Sequence, residues 1–163
     1  MNNALEVRLA KAEDLAALPG VDSAADSVFE TIGIWPLPPA ATAEQLAKAA
    51  AILVAGDPPV GFARIDVIEH AAHLEQLSVH PDAMRRGIGS SLLRAAIDWA
   101  RGHGYDAMTL ATFRDVAWNA PFYARNGFAV VAPDTPALQV VDEHERRLGM
   151  PDLGARVLMR IRL

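Results

Sequence analysis

Between His73 and Thr112 the sequence changes its hydrophobic period twice, and that alternation limits the folds open to the chain. His73–Val79 reads as a strand, closed by His80-Pro81. From Gly89 the chain turns helical: Ile88, Leu92, Leu93, Ala96, Ile97 and Ala100 keep the 3.6-residue spacing of one buried face, and Gly102 and Gly104 stop it. Ala107–Thr112 then reads as a strand again. A strand, a helix and a strand in succession call for helices layered on a sheet.

The rest of the chain fits that frame. Leu5, Val7 and Leu9 alternate as a short first strand. Lys11–Leu18 reads as a brief helix ended by Pro19-Gly20, with a second helix around Asp22–Thr31. Gly33–Pro39 holds too many prolines for a helix and is too apolar for a solvated linker, so an ordered loop lying over something is expected. Thr42 and Gln45 form a capping box opening a helix to about Ala50. Ile52–Ala55 reads as a strand, and Val60–Ile68 with His73–Val79 as a hairpin closed near Glu69–Ala72. Asn119–Asn126 is a short helix stopped by Gly127, Phe128–Val131 a strand, Pro136–Leu148 a polar-faced helix and Ala155–Leu163 a last strand. Hairpins and helix-linked connections both occur, so the expected class is α/β with a mixed sheet. No boundary divides the 163 residues, which suit one domain.

Composition removes several function classes. There is no cysteine, hence no disulfide framework, thiol nucleophile or thiolate metal site. His70, His103 and His144 are scattered without metal-ligand spacing, so no metal is expected. The net charge of −5 argues against nucleic acid, which needs a basic footprint. The longest apolar run, Ala49–Ala55, falls far short of the ~20 residues of a membrane helix. The opening Met1-Asn2-Asn3-Ala4 has no basic region leading into an apolar core, so the expected compartment is the cytoplasm.

The chemistry concentrates at Val79–Ser90. Here a strand ends, a loop carries Arg85, Arg86, Gly87 and Gly89, and a helix begins. A first helical turn offers unpaired N–H groups and the positive end of the dipole, glycine lets a ligand approach the backbone, and arginine adds charge, which together suit a phosphate or pyrophosphate. The alternative is a glycine turn with two solvated arginines. A nucleotide P-loop is disfavoured because Ser90-Ser91 follow Gly89 where lysine would stand, and a dinucleotide fingerprint because Leu92 holds the third glycine's place.

The block Leu74–Pro81 followed by Arg85-Arg86-Gly87-Ile88-Gly89-Ser90 resembles the acetyl-CoA signature of the GNAT superfamily of N-acyltransferases, Gln/Arg-x-x-Gly-x-Gly/Ala, with Met84 at the first position. Asn119–Phe128, with Phe122-Tyr123 and the closing Gly127-Phe128, is similar to the family's later motif. The resemblance covers about Val60–Val131. It implies a mixed, splayed central sheet flanked by helices, with acetyl-CoA wedged between His73–Val79 and Ala107–Thr112. It also implies pantetheine pairing along Leu77, Ser78 and Val79, pyrophosphate on the amides of Arg85, Arg86, Gly87, Ile88, Gly89 and Ser90, and further contacts from Asn119 and Phe122. A homodimer is common in the family.

Acyl transfer to an amine needs a base, an oxyanion donor and an acid for the leaving thiolate. The resemblance assigns the acid to Tyr123; local aromatic packing is the alternative. The base is Glu75, directly or through water, or His73, since strand alternation sets His73, Glu75, Leu77 and Val79 on one face unless a bulge intervenes. Trp35 and Trp118 are loop residues suited to covering a ligand, and Trp35 could equally pack on the sheet. The expected activity is acetyl transfer from acetyl-CoA to a primary amine, first of a small molecule. A peptide or protein amine, or a silent acyl-CoA sensor, are the alternatives.

Overall fold

The computed structural model describes residues 5–163, so the leader reading at residues 1–4 lies outside the described residues. Among the described residues seven strands form one sheet: β1 Val7–Leu9, β2 Ala51–Ala55, β3 Gly61–Ile68, β4 Ala71–Val79, β5 Ala107–Phe113, β6 Ala129–Val131 and β7 Arg156–Arg162. Their order is β1-β2-β3-β4-β5-β7-β6. Every neighbouring pair is antiparallel except β4 and β5, which are parallel. The mixed sheet expected from the sequence is present.

Six helices cover the sheet: α1 Leu18–Glu30, α2 Ala43–Leu46, α3 Ile88–Gly102, α4 Ala120–Arg125, α5 Pro136–Arg147 and α6 Met150–Leu153. None among the described residues is long and apolar enough to cross a membrane. Both faces of the sheet are covered. Ala51, Leu53 and Ala55 pack beneath α3, while Ile52 and Val54 pack towards Leu18 and Val21 of α1. The α3 side holds the main core, where Leu92, Leu93, Met108 and Leu110 are fully buried. On the other side α5 lays Leu138 and Val141 on Leu158 and Ala111.

Three expectations need correction. Pro19-Gly20 does not end a helix. Residues 12–17 wind tightly and run into α1, and Pro19 sits in that helix's first turn, where a missing N–H costs nothing. The capping box at Thr42 and Gln45 forms, but α2 stops at Leu46. The β3–β4 hairpin is tighter than expected: only Glu69 and His70 connect the strands, both with positive φ (47° and 65°), as a two-residue hairpin loop demands. Helix α6 was not legible in Met150–Leu153. The Gly33–Pro39 loop is ordered as expected: Ile34 and Leu37 pack with Phe29, Phe113, Val116 and Met150.

Candidate active site

The loop into α3 is built to present amides. Arg85 and Gly87 both adopt left-handed φ (64° and 75°), and the first backbone bond of the helix is donated by Ser91 to Gly87 at 3.0 Å. The N–H groups from Arg85 to Ser90 therefore have no backbone carbonyl, and no side chain caps the helix at Gly87. Six consecutive free amides at a helix N-terminus make an anion cradle. A methyl group added at Gly87 would meet nothing within 4 Å, so the cradle is open on that side. Arg85 and Arg86 are exposed and have no ion-pair partner among the described residues.

Beside the cradle the sheet is split. β4 and β5 pair only at Ala72–Met108 and His73–Thr109, after which the strands diverge and the edge of β4 past Leu74 has no neighbour on that side. The amide of His80 donates to Val60 at 2.8 Å, so by strand alternation the backbone groups of Leu77 and Val79 turn away from β3 and into the gap. Ser78 does not: its backbone faces β3, and its hydroxyl donates to Asp22 Oδ1 at 2.8 Å. The structure thus turns Ser78 away from the expected cofactor contacts.

Helix α4 closes the far side of the gap. Phe122 comes within 3.9 Å of a Cβ built on Gly89, which brings the two sequence motifs together. Asn119 opens α4, and its Oδ1 accepts from the Phe113 amide at 3.3 Å, tying α4 to the end of β5. Tyr123 packs edge-on between Phe122 and Phe128, with centroids 5.2 and 5.8 Å away. Its ring is buried, and burial raises its hydroxyl well above the usual phenol range, with Arg156 opposing. The hydroxyl is therefore protonated at neutral pH. Ile88 lies in the core beneath the cradle.

Across the sheet lies a polar recess. A bulge at Glu75 breaks the alternation of β4: Ile65 pairs with Leu74 and Arg64 with Gln76, leaving Glu75 without an opposite residue. His73 and Glu75 consequently share the α1 and α5 face, while Leu77 and Val79 pack on the α3 side, which overturns the expected single face. His73 is only 3% exposed, so its imidazole cannot meet an acceptor, and burial, with His144 adding, lowers it to about 4. Glu75 keeps 34% of its side-chain surface open. Burial raises its carboxyl to about 7, with Asp66 and Glu145 adding and Arg64 and Arg156 opposing. That is the proton affinity a general base needs near neutrality.

Sequence reading missed two carboxylates of α1, Asp22, which is buried, and Asp26, which is half-buried. Asp22 Oδ1 accepts from Gln76 Nε2 at 2.9 Å as well as from Ser78, and one turn on, burial with Asp22 adding raises Asp26 to about 7. The partners of Asp22 lie 54 and 56 residues away in sequence, so no local pattern marks it. Trp35 stands 48% exposed on its loop, beside the packed Ile34 and Leu37. Trp118 is 41% exposed and meets Phe29 edge-on at 5.5 Å. Trp118 thus borders the cluster in which Phe29 and Phe113 pack.

Comparison with known proteins matches this geometry. A family model described as the acetyltransferase (GNAT) family matches residues 23–128. The chain is 38% identical over 71 residues to aminoglycoside N(6')-acetyltransferase type 1 of Klebsiella aerogenes, covering 37% of this chain and 47% of that protein. It is 35% identical over 65 residues to streptothricin acetyltransferase A of Bacillus subtilis (strain 168), covering 39% and 37%. The match thus spans less than half the length of either relative. In fold the chain is similar to the PaiA N-acetyltransferase of Thermoplasma acidophilum, solved in complex with coenzyme A. The TM-score is 0.70 at 22% identity, over 98% of this chain and 99% of that one.

Proposed function

The chain belongs to the GNAT family of acetyltransferases, and from that premise we propose that it moves an acetyl group from acetyl-CoA to a primary amine of a small molecule by direct attack in a ternary complex. The observation that carries this reading is the split between β4 and β5 opening beside six free amides. A thioester cofactor with a diphosphate and a thin polar arm suits both features at once. The amides of Arg85–Ser90 hold the diphosphate, with Arg85 and Arg86 adding charge. The free backbone groups of Leu77 and Val79 hold the pantetheine arm as an added strand. Phe122 and Asn119 flank it.

Glu75 takes the proton that an ammonium must lose before its nitrogen can attack, directly or through a water. A backbone N–H of Leu77 or Val79 donates to the oxygen that gains charge. Tyr123 gives its proton to the departing thiolate. The chain contains no cysteine to carry the acyl group, in keeping with direct transfer.

A small acceptor is favoured by the acceptors named for the two relatives, an aminoglycoside and streptothricin, and in this reading the Trp35–Pro39 loop narrows the mouth of the site. Three carboxylates, buried Asp22, half-buried Asp26 and the more open Glu75, suit a cationic amine. Release of free CoA, followed across a panel of small amines and peptides, tests the proposal. Turnover is expected with small amines. Acetyl-CoA binding with no CoA release from any amine would make the protein a sensor instead, and turnover restricted to peptides would make it a protein acetyltransferase.

A further inference from the structure

We propose that His73 is a positioning residue for Glu75: oriented by Thr109, its imidazole donates an Nε2–H to one carboxylate oxygen and leaves the other free for the acceptor amine. The inference deepens the reading above and rests on Glu75 being the base.

The proposal turns on where the ring carries its proton. Thr109 has one hydroxyl proton and two neighbours, His73 Nδ1 at 2.9 Å and the Ala72 carbonyl at 3.5 Å. In the proposed arrangement the hydroxyl proton goes to the shorter contact, so that Nδ1 accepts and the single proton of the neutral ring sits on Nε2; the reverse arrangement, Nδ1–H to Thr109 and Thr109 to the Ala72 carbonyl, is the one the proposal excludes. Nε2 faces Glu75 Oε2 at 3.4 Å. At that distance the two groups are within ion-pair range but not yet hydrogen-bonded, and the proposed bond forms as the site tightens around substrate.

Glu75 needs such a tether. The bulge takes it out of the strand register on the β3 side, and no other side chain among the described residues reaches it. Its charged neighbours are engaged elsewhere. On β3, Arg64 Nε bonds Asp66 at 3.0 Å. On β7, Arg156 pairs with Glu145 of α5 and lies over the Phe113 ring at 4.4 Å. His144, also on α5, acts on His73 itself. His73, buried and held by the buried Thr109, is the side chain placed to orient the carboxylate.

Nitrogen-15 NMR of the imidazoles in the intact protein at pH 8 tests the bond without any turnover. The expected spectrum shows His73 neutral, protonated at Nε2 and bare at Nδ1; an Nδ1–H tautomer or an imidazolium overturns the proposal. Kinetics then separate positioning from mere structure. His73→Leu removes a donor to the charged form, so the acid limb of kcat/KM moves up by about one pH unit. Its kcat at pH 7 falls about tenfold while KM for acetyl-CoA stays within about twofold. His73→Gln, which still offers an N–H, restores most of the rate. An unmoved acid limb in a folded His73→Leu protein contradicts the proposal. Should His73→Leu fail to fold, the wild-type spectrum and His73→Gln decide. An unmoved acid limb in Glu75→Gln would instead remove the base assignment, and the spectrum would still report whether His73 donates to Glu75.

Discussion

The two faces of the sheet divide the labour. Beneath α3 the inward positions are filled by residues such as Leu92, Leu93, Met108 and Leu110, and the chemistry there belongs to the backbone, in the free amides of residues 85–90. Beneath α1 and α5 the buried positions include Asp22, His73, Ser78 and Thr109, and the chemistry belongs to side chains. Backbone amides keep their character at any pH and bind a ligand common to a whole family. Carboxylates raised by their surroundings, as Glu75 and Asp26 are to about 7, can be altered one at a time, which suits the proposed work of choosing an acceptor and moving a proton.

Substitutions that strike one face and spare the other probe this division. The largest effect is expected from Glu75→Gln, with kcat/KM down by about 10²–10⁴ as for loss of a general base, and CoA affinity unchanged in a calorimetric titration. Parallel loss of CoA binding would blur the two faces. Next is Gly87→Val, which forces a β-branched residue into φ +75°. It should raise KM for acetyl-CoA about tenfold and leave the acid limb of the pH profile in place, because the recess is untouched. Tyr123→Phe should lower kcat about tenfold with little change in CoA affinity; equal losses in both would make Tyr123 a packing residue.

The smallest effect is on stability. Glu75 is raised from 4.5 to about 7 in the folded protein. The folded state therefore holds its proton more tightly than the unfolded chain does. The stability linked to that proton is complete below pH 4.5 and is lost as pH rises through about 7. Glu75→Gln escapes the loss, so the variant should melt a few degrees above the wild type at pH 8, and the gap should shrink towards pH 5. A gap that does not depend on pH would place Glu75 in water.

The same division explains how far the sequence could be read. The period from Ile88 to Ala100 marks α3 because one apolar face repeats over several turns, and the glycines before it mark the cradle because a close approach to backbone needs them. The recess depends on events with no periodic signal. The bulge at Glu75 is one residue of slip, decided by pairing with β3, and it moves Glu75 and His73 off the face of Leu77. Thr109 reads as another β-branched residue between Met108 and Leu110 until His73 is set against it. Pro19 looked like a stop because its place in the helix, the first turn, depends on where the preceding tight turn begins. Backbone-built function leaves glycines and periodicity in the sequence, whereas side-chain function built across strands leaves little.

The most direct test of the account follows backbone amide resonances during a titration with CoA. The account predicts large shifts at Leu77, Val79 and Arg85–Ser90, smaller ones at Asn119 and Phe122, and almost none at Asp22 or Asp26. Saturable binding that leaves the amides of residues 85–90 unmoved would contradict it.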